Sequence, residues 1–383
     1  MSGSFEGSGS FKDFARPDGI YMLNHSVGLP PSSIAHVADD LIARWLTQPH
    51  DAWPGWTSEL DGFHAELGRL FNHDPQWFCH QVNVSSAVTK VIHSLPRDPS
   101  RSVIVLSERA FPSLGYVAQA ASAAGYATRM LPADADTTDP AAWGDAVTDD
   151  VAVVMVGHAE SNTGARLPVP EILELIRESG AISVVDVAQS AGVIPIDLRS
   201  WQADFVVGTA VKWLCGGPGA AFVWVNPDRI GECEPLDVGW FSHTDPFEFD
   251  INDFRFAPDA RRFWGGTPSP IPAALARHGI AALNNIGVGT IHEHNTSLTE
   301  RLINGVSAID DGLLVSPREA PSRSGTVVID PGSAARTTVL AALAAASVRV
   351  DERAQGIRIS PHLINSIDDI DTVLTVLDRT CAQ

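Results

Sequence analysis

In the stretch Val206-Val207-Gly208-Thr209-Ala210-Val211-Lys212-Trp213-Leu214-Cys215-Gly216-Gly217-Pro218-Gly219, a single lysine stands between an apolar run and a loop of glycine and proline. Lysine is almost never fully buried without a partner. Lys212 therefore either extends its ammonium past the loop to water or is held there for the chemistry of its amine. The residues around the stretch decide between these two interpretations.

Apolar strands alternate with helices on the N-terminal side of this stretch. Continuously apolar strands that alternate with helices predict a parallel sheet covered on both faces, in an α/β fold. The predicted strands are 102–107, 127–131, 151–156, 181–185 and 205–207, and the predicted helices are 114–124, 141–147 and 169–179. His158, Asp186 and Lys212 follow three of these strands, and ligands of such sheets bind beyond the carboxyl ends of the strands.

The remaining segments complete a two-domain prediction. Helical spacing begins at Ser33, with Ile34, Val37, Leu41, Ile42 and Trp45 on one face, and again over 53–71. An irregular stretch rich in aromatic residues and proline covers 234–272, and long irregular stretches inside enzymes are usually functional. Helices are expected from 271 past 283 and over 292–308, followed by an α+β unit with strands 325–329, 348–350 and 356–360 and helices 335–346 and 367–379. We predict a flexible leader (1–18), a large domain (19–285, with 19–50 able to pack on the small domain) and a small C-terminal α+β domain (286–383).

Composition excludes several classes of partner. The 383 residues carry a formal charge of −20, from 46 acidic residues against 26 Lys and Arg. This charge argues against nucleic acid or an anionic membrane surface as a partner. The four cysteines show neither a C-x-x-C spacing nor a zinc pattern, so we expect reduced thiols, no metal and a cytoplasmic location. The N-terminal residues lack the apolar centre of a signal peptide, and no apolar run is long enough to span a bilayer.

Small hydroxyl residues follow the short strand near Gln81. In Gln81-Val82-Asn83-Val84-Ser85-Ser86-Ala87-Val88-Thr89, the serines stand where a helix begins. Small side chains at a helix start leave backbone N–H groups open to an anion, which predicts a phosphate site. A plain serine N-cap explains the same residues equally well.

Asp186 and Lys212 are 26 residues apart, which is enough for one crossover between neighbouring parallel strands. Their charged groups could therefore face one pocket. A lysine that forms a Schiff base and a carboxylate that keeps a pyridinium nitrogen protonated are the arrangement used for pyridoxal 5′-phosphate (PLP). The sequence thus predicts a PLP site, with the phosphate at Ser85 and Ser86.

Several motifs resemble the fold-type I PLP enzymes of the class V aminotransferase group. This group contains cysteine desulfurases, isopenicillin N epimerases, cysteine C–S lyases and kynureninases. The motifs are Leu23-Asn24-His25-Ser26-Val27-Gly28, Ser161-Asn162-Thr163-Gly164, Asp186-Val187-Ala188-Gln189-Ser190-Ala191-Gly192, the Lys212 stretch, and Ile357-Arg358-Ile359-Ser360-Pro361 with Asn365. Together, in this order, they cover most of the chain.

The kynureninase branch is most similar at two places. The segment Ala110-Phe111-Pro112-Ser113 resembles the part of kynureninases that stacks an aromatic ring on the cofactor. The segment 239–243, followed by Arg262-Phe263 and Gly266-Thr267-Pro268, resembles their active-site loop and the part that a partner subunit lends to the phosphate. The resemblance therefore implies a homodimer with shared active sites.

The resemblance also assigns roles to individual residues. Lys212 would be the covalent anchor and catalytic residue, Asp186 the partner of the pyridinium nitrogen and Gln189 the donor to the phenolic oxygen. Phe111 would stack on the ring, and Arg358 would clamp the substrate carboxylate, a task that suits the bidentate guanidinium. The phosphate would be surrounded by Ser85, Ser86, Thr209, Trp240 and Thr267. Further expected contacts are Asn162 to the cofactor and Asn24 and His25 to the substrate.

Plainer interpretations stay open for three residues. Trp240 could serve only to pack its loop, His243 could be a solvated or core histidine, and Arg358 could form a surface ion pair.

Val211 departs from the family pattern. Kynureninases have a tyrosine immediately before the lysine, and desulfurases and epimerases commonly have a histidine, whereas this chain has a valine. Valine can neither donate to a phosphate nor assist proton transfer, which argues against kynurenine hydrolysis. A mobile cysteine nucleophile of the desulfurase kind is not evident either, since Cys215 lies in the glycine loop and Cys381 in the last helix.

The favoured function is β-elimination from a cysteine S-conjugate or a similar β-substituted amino acid, within a biosynthetic pathway. Open alternatives are decarboxylation-coupled oxidative deamination of such a conjugate to an aldehyde, kynureninase-like hydrolysis, transamination and epimerisation. A PLP-binding scaffold without turnover is the non-enzyme alternative. A nucleotide-binding enzyme is disfavoured because neither G-x-G-x-x-G nor a phosphate-loop lysine follows the first strand.

Overall fold

The computed structural model describes residues 9–381. Residues 1–8 of the predicted flexible leader lie outside the described residues. The rest of that leader is packed: Gly9–Asp13 forms a 3₁₀ turn, and Phe14 is buried in the core of the large domain. The structure differs from the predicted flexible leader from about residue 11 onward, because Phe11 and Phe14 bury apolar surface against the large domain.

Strands and helices alternate through most of the chain, as the sequence predicts. The strands are β1 (Ile20–Tyr21), β2 (Phe78–Gln81), β3 (Val103–Ser107), β4 (Ala127–Leu131), β5 (Val151–Gly157), β6 (Ile182–Asp186), β7 (Phe205–Thr209), β8 (Ala221–Val225), β9 (Val327–Ile329), β10 (Val348–Arg349), β11 (Asp351–Arg353) and β12 (Gly356–Ile359). The helices are α1 (Ile34–Thr47), α2 (Ala52–Phe71), α3 (Val84–Ser94), α4 (Pro112–Ala120), α5 (Pro140–Ala146), α6 (Val169–Ser179), α7 (Pro270–Ile286), α8 (Val288–Ile309), α9 (Ser333–Ala345) and α10 (Ile367–Cys381).

A seven-stranded sheet in the order β2-β8-β7-β6-β5-β3-β4 forms the centre of the large domain. The strands from β3 to β7 pair in parallel, and β8 runs antiparallel to both β7 and β2. The predicted α/β fold with a mainly parallel sheet is confirmed. The strand β8 is not among those that the sequence pattern predicts.

Helices cover both faces of this sheet. On one face, α2, α5, α6 and α7 bury their apolar side chains against alternate strand residues such as Val154 and Val185. On the other face, α3 and α4 pack against the intervening residues, such as Val153 and Val184. Because both faces are covered, the central strands β3, β5 and β7 are almost entirely apolar, which explains the runs seen in the sequence.

A smaller α+β unit follows α7. The strands β11, β12 and β9 form an antiparallel sheet that packs with α8, α9 and α10 around one core. The N-terminal strand β1 pairs in parallel with β10, and Met22 is buried in the same core. The N-terminal segment therefore reaches the small unit before the chain enters the large sheet.

The segment 234–272 remains irregular apart from two 3₁₀ turns, Trp240–Ser242 and Ala260–Phe263, before α7 begins. The structure thus agrees with the predicted break in the alternation. We find no helix within residues 9–381 with the length and apolar character that crossing a bilayer requires.

Candidate active site

Three neighbouring strands bring the central residues of the site together. The carboxyl ends of β5, β6 and β7 lie side by side. His158 follows β5, Asp186 is the last residue of β6, and Lys212 lies just after β7. The backbone N–H of His158 donates to the carbonyl of Asp186 at 2.9 Å. The predicted convergence at this edge of the sheet is thus present.

His158 itself serves the fold. Its ring packs edge-on against Trp201, with centroids 4.9 Å apart, and its Nε2 accepts a hydrogen bond from Arg166. Burial lowers the pKa of His158 to about 3, with the nearby Arg166 as a smaller cause. A histidine held neutral in this way supports the turn after β5 rather than acid catalysis.

Lys212, Asp186, Gln189 and Phe111 line one cleft at this edge. The Nζ atom of Lys212 lies 5.1 Å from the centroid of the Phe111 ring. Phe111 begins the turn into α4, where Pro112 is the first helical residue and its fixed φ suits that position. An amine, a carboxylate, an amide and an aromatic face thus share the cleft.

Burial shifts both charged groups toward their neutral forms. Burial raises the pKa of Asp186, opposed by the charge of Lys212 and by a hydrogen bond from the Ala188 N–H at 2.8 Å. Burial also lowers the pKa of Lys212, opposed by Asp186 and assisted by the positive charge of Arg358. A larger fraction of Lys212 is therefore the unprotonated, nucleophilic amine than for a solvated lysine, which is the form that Schiff-base formation needs.

The side chain of Gln189 is held at both ends. Its Oε1 accepts a hydrogen bond from the indole N–H of Trp213 at 3.1 Å, and its Nε2 donates to the His25 carbonyl at 3.2 Å. An amide NH₂ has two hydrogens, so one remains available to the cleft that Gln189 lines.

Arg358 is buried and paired with a carboxylate that the sequence reasoning missed. Its Nε donates to Asp351 Oδ1 at 2.9 Å, its Nη2 to Asp351 Oδ2, and its Nη1 to the Ser161 carbonyl at 3.3 Å. These bonds use three of the five guanidinium N–H groups, which leaves two for a further acceptor. Arg358 is thus not a surface ion pair, and its charge lies close enough to Lys212 to lower the pKa of that amine.

His25 joins the same network. Burial lowers the pKa of His25, and the hydrogen bond to Asp351 opposes this effect. In the neutral ring Nε2–H donates to Asp351 Oδ1 at 2.9 Å, so Nδ1 accepts from the Ser360 hydroxyl at 2.6 Å. Asn24 donates to the Ser360 carbonyl at 2.9 Å. Asn24 and His25 therefore tie the N-terminal segment to the residue after β12.

The carboxyl of Asp351 remains ionised far into the acid range. Burial alone would raise its pKa, but hydrogen bonds from His25 and Arg358 outweigh burial and hold the pKa well below its usual range. No spacing rule in the sequence points to Asp351, because its partner His25 lies 326 residues away.

The residues predicted for the phosphate do not line this cleft. Ser85 and Ser86 begin α3, where Asn83 is the N-cap and its Oδ1 accepts the Ser86 N–H at 2.8 Å. Both serines line a separate cavity with Lys90 and Asp237. Thr209 ends β7, and Asn162 lies beside Ser161 in the turn after β5. Their proposed contacts stay predictions.

Trp240 and Thr267 lie together on the surface of the irregular segment. The indole N–H of Trp240 donates to Thr267 Oγ1 at 3.3 Å, and neither residue lines the cleft of its own chain. The Nδ1 atom of His243 accepts a hydrogen bond from the Asp245 N–H at 3.1 Å, and its Nε2–H donates to the Asp253 carbonyl at 2.9 Å. His243 therefore holds the loop after Trp240 together.

The buried thiols are unsuited to nucleophilic chemistry. Burial raises the pKa of Cys79 and of Cys215 to about 12, and that of Cys233 to about 11. The described lining of the cleft contains no cysteine, histidine or tyrosine. A thiolate nucleophile is thus not part of the observed site.

The chemistry of these donors fits PLP, and the class follows from fold and site together. Lys212 would supply the amine, Asp186 the carboxylate for a pyridinium nitrogen, and Phe111 a ring face, whose centroid lies 5.1 Å from the amine. An α/β fold that carries this set at the carboxyl edge of its sheet defines a PLP-dependent enzyme of fold type I.

Comparison with known proteins agrees with this class. The profile of the aminotransferase class-V family matches residues 77–373, and the chain belongs to this family. A kynureninase of Deinococcus radiodurans is 32% identical over 302 residues, which are 75% of this chain and 70% of that protein. A kynureninase of Burkholderia mallei is 30% identical over 323 residues, which are 80% of this chain and 76% of that protein.

Solved structures share the fold at lower sequence identity. The cystine C–S lyase C-DES, in complex with its product cysteine persulfide, matches with a TM-score of 0.85 and 22% identity, over 95% of this chain and 98% of that chain. In another structure of C-DES, glycine is covalently linked to the PLP cofactor. A cysteine desulfurase of Thermococcus onnurineus has a TM-score of 0.82 and 20% identity, over 94% of both chains.

Proposed function

We propose that this PLP enzyme cleaves the C–S bond of a cysteine S-conjugate, or of a similar β-substituted amino acid, by β-elimination. The observation that carries the proposal is that a valine precedes Lys212 and that the described lining of the cleft has no cysteine, histidine or tyrosine. Besides Asp186, the carboxylate that lines the cleft is Glu160, which already accepts hydrogen bonds from Thr137 and Thr163. A thiolate leaves without a proton donor because it is a stable anion near neutral pH. Hydrolysis of a ketone side chain, by contrast, benefits from an acid or base beside the lysine.

Three residues of the cleft, and Arg358 near it, have a defined task in the proposed reaction. When bound, PLP supplies an electron sink for the charge that develops at the α-carbon. Lys212 removes the α-proton, Asp186 keeps the pyridinium nitrogen protonated, and Phe111 packs on the ring. The two free N–H groups of Arg358 bind the α-carboxylate, which orients the α-carbon toward the lysine amine.

The bond changes of the elimination balance, and water is the one additional reactant. The C–H electrons form the Cα–Cβ double bond, and the C–S electrons leave on sulfur as a thiolate. The three-carbon remainder tautomerises and takes up water to give pyruvate and ammonia. An oxidant is not needed, and Lys212 returns its proton to the carbon or the nitrogen of the remainder.

Kynureninase-like hydrolysis is the second candidate. It is favoured by the kynureninases of Deinococcus radiodurans and Burkholderia mallei, at 32% and 30% identity. Val211 argues against this reaction, because kynureninases have a polar residue immediately before the lysine and this chain has a valine.

One product assay separates the two candidates. We would incubate the PLP-loaded protein with a panel of S-substituted cysteines and with kynurenine, and identify the products by mass spectrometry. Pyruvate, ammonia and a thiol from the cysteines, abolished in Lys212→Ala, are expected. Formation of anthranilate from kynurenine, while the cysteine conjugates remain intact, would overturn the proposal in favour of the second candidate. Formation of an aldehyde and carbon dioxide from the conjugates would show oxidative deamination instead of elimination.

We also propose a homodimer in which Trp240 and Thr267 of the partner subunit approach the cofactor phosphate, together with Ser85, Ser86 and Thr209. An aromatic surface supports this proposal. It runs from Trp45 through Trp56 and Trp53 to Trp240, with neighbouring ring centroids 5.0–5.8 Å apart, and continues to Phe249. Its two ends are exposed, Trp45 to 48% and Phe249 to 74%, and exposed apolar surface of this kind marks interaction sites.

A further inference from the structure

Trp213 follows Lys212 in the chain and is completely buried, and its one polar side-chain group, the indole N–H, makes a hydrogen bond. Its indole N–H donates to Gln189 Oε1 at 3.1 Å. Gln189 in turn lines the cleft with Lys212. The loop that carries the lysine thus also supplies the hydrogen bond that holds the amide of Gln189.

The two partners of Gln189 have opposite chemistry. Indole can only donate a hydrogen bond, and the His25 carbonyl, which receives the Nε2–H at 3.2 Å, can only accept. The rotated amide would bring Oε1 against the His25 carbonyl and its NH₂ against the indole N–H. Both contacts would be repulsive, so these partners fix one orientation of the amide, in which the second N–H of Nε2 is not used by either partner.

The ring of Trp213 is itself held by the small unit. A Cβ atom on Gly325 would lie 2.9 Å from Cη2 of Trp213, so glycine is needed there for the close approach of the backbone. The ring of His362 packs edge-on at a centroid distance of 5.3 Å, and Val193 and Ile194 complete the surroundings. Trp213 therefore has little freedom to release the amide.

We propose that Trp213 is a positioning residue that orients the Gln189 amide so that its free N–H points to the phenolic oxygen of the cofactor. The inference rests on the proposed role of Gln189 and assigns to Trp213 a task that packing alone does not require. A hydrogen bond to an anionic oxygen favours the anionic form. Trp213 thereby keeps the pKa of the lysine–cofactor linkage low, without touching the cofactor.

The test is the pH titration of the visible absorption band of the PLP-loaded protein. In Gln189→Leu, loss of the donor raises the titration midpoint by about one pH unit, the equivalent of one hydrogen bond to a charged group. Trp213→Phe keeps the ring but loses the N–H, and it raises the midpoint by about half as much, since the His25 carbonyl still holds the amide. The double variant matches Gln189→Leu alone, because both changes act through one contact.

Trp224→Phe is the matched control. Trp224 is also buried, but its indole nitrogen has no hydrogen-bond partner among the described residues. Its variant therefore leaves the midpoint unchanged. An unchanged midpoint in Trp213→Phe, or a shift that adds in full to that of Gln189→Leu, overturns the positioning role alone. An unchanged midpoint in Gln189→Leu overturns the proposed role of Gln189 and the inference with it.

Discussion

At the scale of single residues, Asp351 shows how a buried arginine can be paired and still keep two N–H groups for a further acceptor. Its carboxylate occupies the Nε and Nη2 side of the Arg358 guanidinium, and it accepts a hydrogen bond from His25. A fixed guanidinium loses less conformational entropy when a carboxylate binds to its remaining N–H groups. Asp351 thus preorganises the guanidinium of Arg358 for the substrate carboxylate that we propose it binds.

Asp351→Asn is expected to lower kcat/KM by about tenfold or more, since one charge-assisted hydrogen bond to the arginine is lost. Steady-state kinetics with the best S-substituted cysteine would measure the effect. Asp371→Asn is the control, because Asp371 pairs with the exposed Arg301 at 2.7 Å on the small unit. Equal kinetics in the two variants would contradict the role of Asp351.

The depressed pKa of Asp351 also has a definite sign for stability. A carboxyl whose pKa is lower in the folded chain than the unfolded value of about 3.9 stabilises the fold above that pH. This contribution is lost as the pH falls toward the folded pKa. The difference in stability between the protein and Asp351→Asn should therefore shrink below about pH 4.

At the scale of elements, Gly28 sets the distance between the N-terminal segment and the lysine loop. Its N–H donates to the Val211 carbonyl at 2.9 Å, and a Cβ atom at this position would lie 1.9 Å from the Lys212 carbonyl oxygen. Since both contacts involve backbone, a side chain at residue 28 must displace one of the two segments.

Gly28→Ala is expected to lower the PLP occupancy of the purified protein several-fold and to lower its Tm. Gly55→Ala is the control: Gly55 lies inside α2, and a Cβ atom there would have no neighbour within 4 Å. Alanine in a helix is favoured over glycine by about 0.5–1 kcal/mol, so this variant should be slightly more stable. Absorbance and thermal unfolding measure both quantities. Full occupancy in Gly28→Ala would contradict the tight contact.

The sequence predicts those elements whose periodicity is undisturbed. The bounds of α6 agree with the predicted 169–179, because its apolar residues recur at helical spacing and Gly180 caps its C-terminus. The strand β11 escapes prediction because Asp351, Glu352 and Arg353 are all charged. The apolar residues Ile42 and Trp45 of α1 are 43% and 48% exposed, so spacing identified the helix but not the partner of its apolar face.

In the site too, local sequence patterns could be predicted and contacts between distant segments could not. Lys212, Asp186, Gln189 and Phe111 could be predicted because strand ends and motifs are local properties of the sequence. Asp351 and the Trp213–Gln189 hydrogen bond could not, since they depend on contacts between distant segments. The phosphate contacts of Trp240 and Thr267 stay predictions, because they need a second chain.

At the scale of the whole molecule, the aromatic surface should decide the assembly. Phe249 and Ile251 are 74% and 95% exposed, and Phe249 stacks on Trp240 with centroids 5.9 Å apart. We expect the double variant Phe249→Asp, Ile251→Asp to sediment as a monomer and to lose PLP affinity, while the parent protein sediments as a dimer.

Ile367→Asp serves as the control, because Ile367 is an exposed apolar residue on α10 of the small unit. A parent protein that sediments as a monomer, or a double variant that remains a dimer, would contradict the proposed interface.

Four buried histidines make the whole fold sensitive to acid. Burial lowers the pKa of His64, His158 and His362 to about 3 and that of His80 to about 4. The unfolded value is about 6.5, so between these pH values the unfolded chain binds up to about four protons more than the folded chain. The contribution of these neutral histidines to the free energy of unfolding is therefore fully present above about pH 6.5, and it decreases as the pH falls below that value.

Urea unfolding at pH 7, 6 and 5 should show the free energy of unfolding decreasing at each step. The matching proton uptake can be measured by comparing unfolding in buffers of different ionisation enthalpy. A free energy of unfolding that is constant from pH 7 to 5 would contradict the neutral, buried state of these histidines.

The central claim is that Lys212 is the lysine that binds PLP, and covalent labelling tests it most directly. The chain has only three lysines, Lys12, Lys90 and Lys212. Reduction of the PLP-loaded protein with borohydride makes the link permanent, and peptide mass mapping then locates it. The account predicts a pyridoxyl group on the peptide that contains Lys212, at close to one per chain. Modification of Lys12 or Lys90 instead, or no modification after loading with PLP, would contradict it.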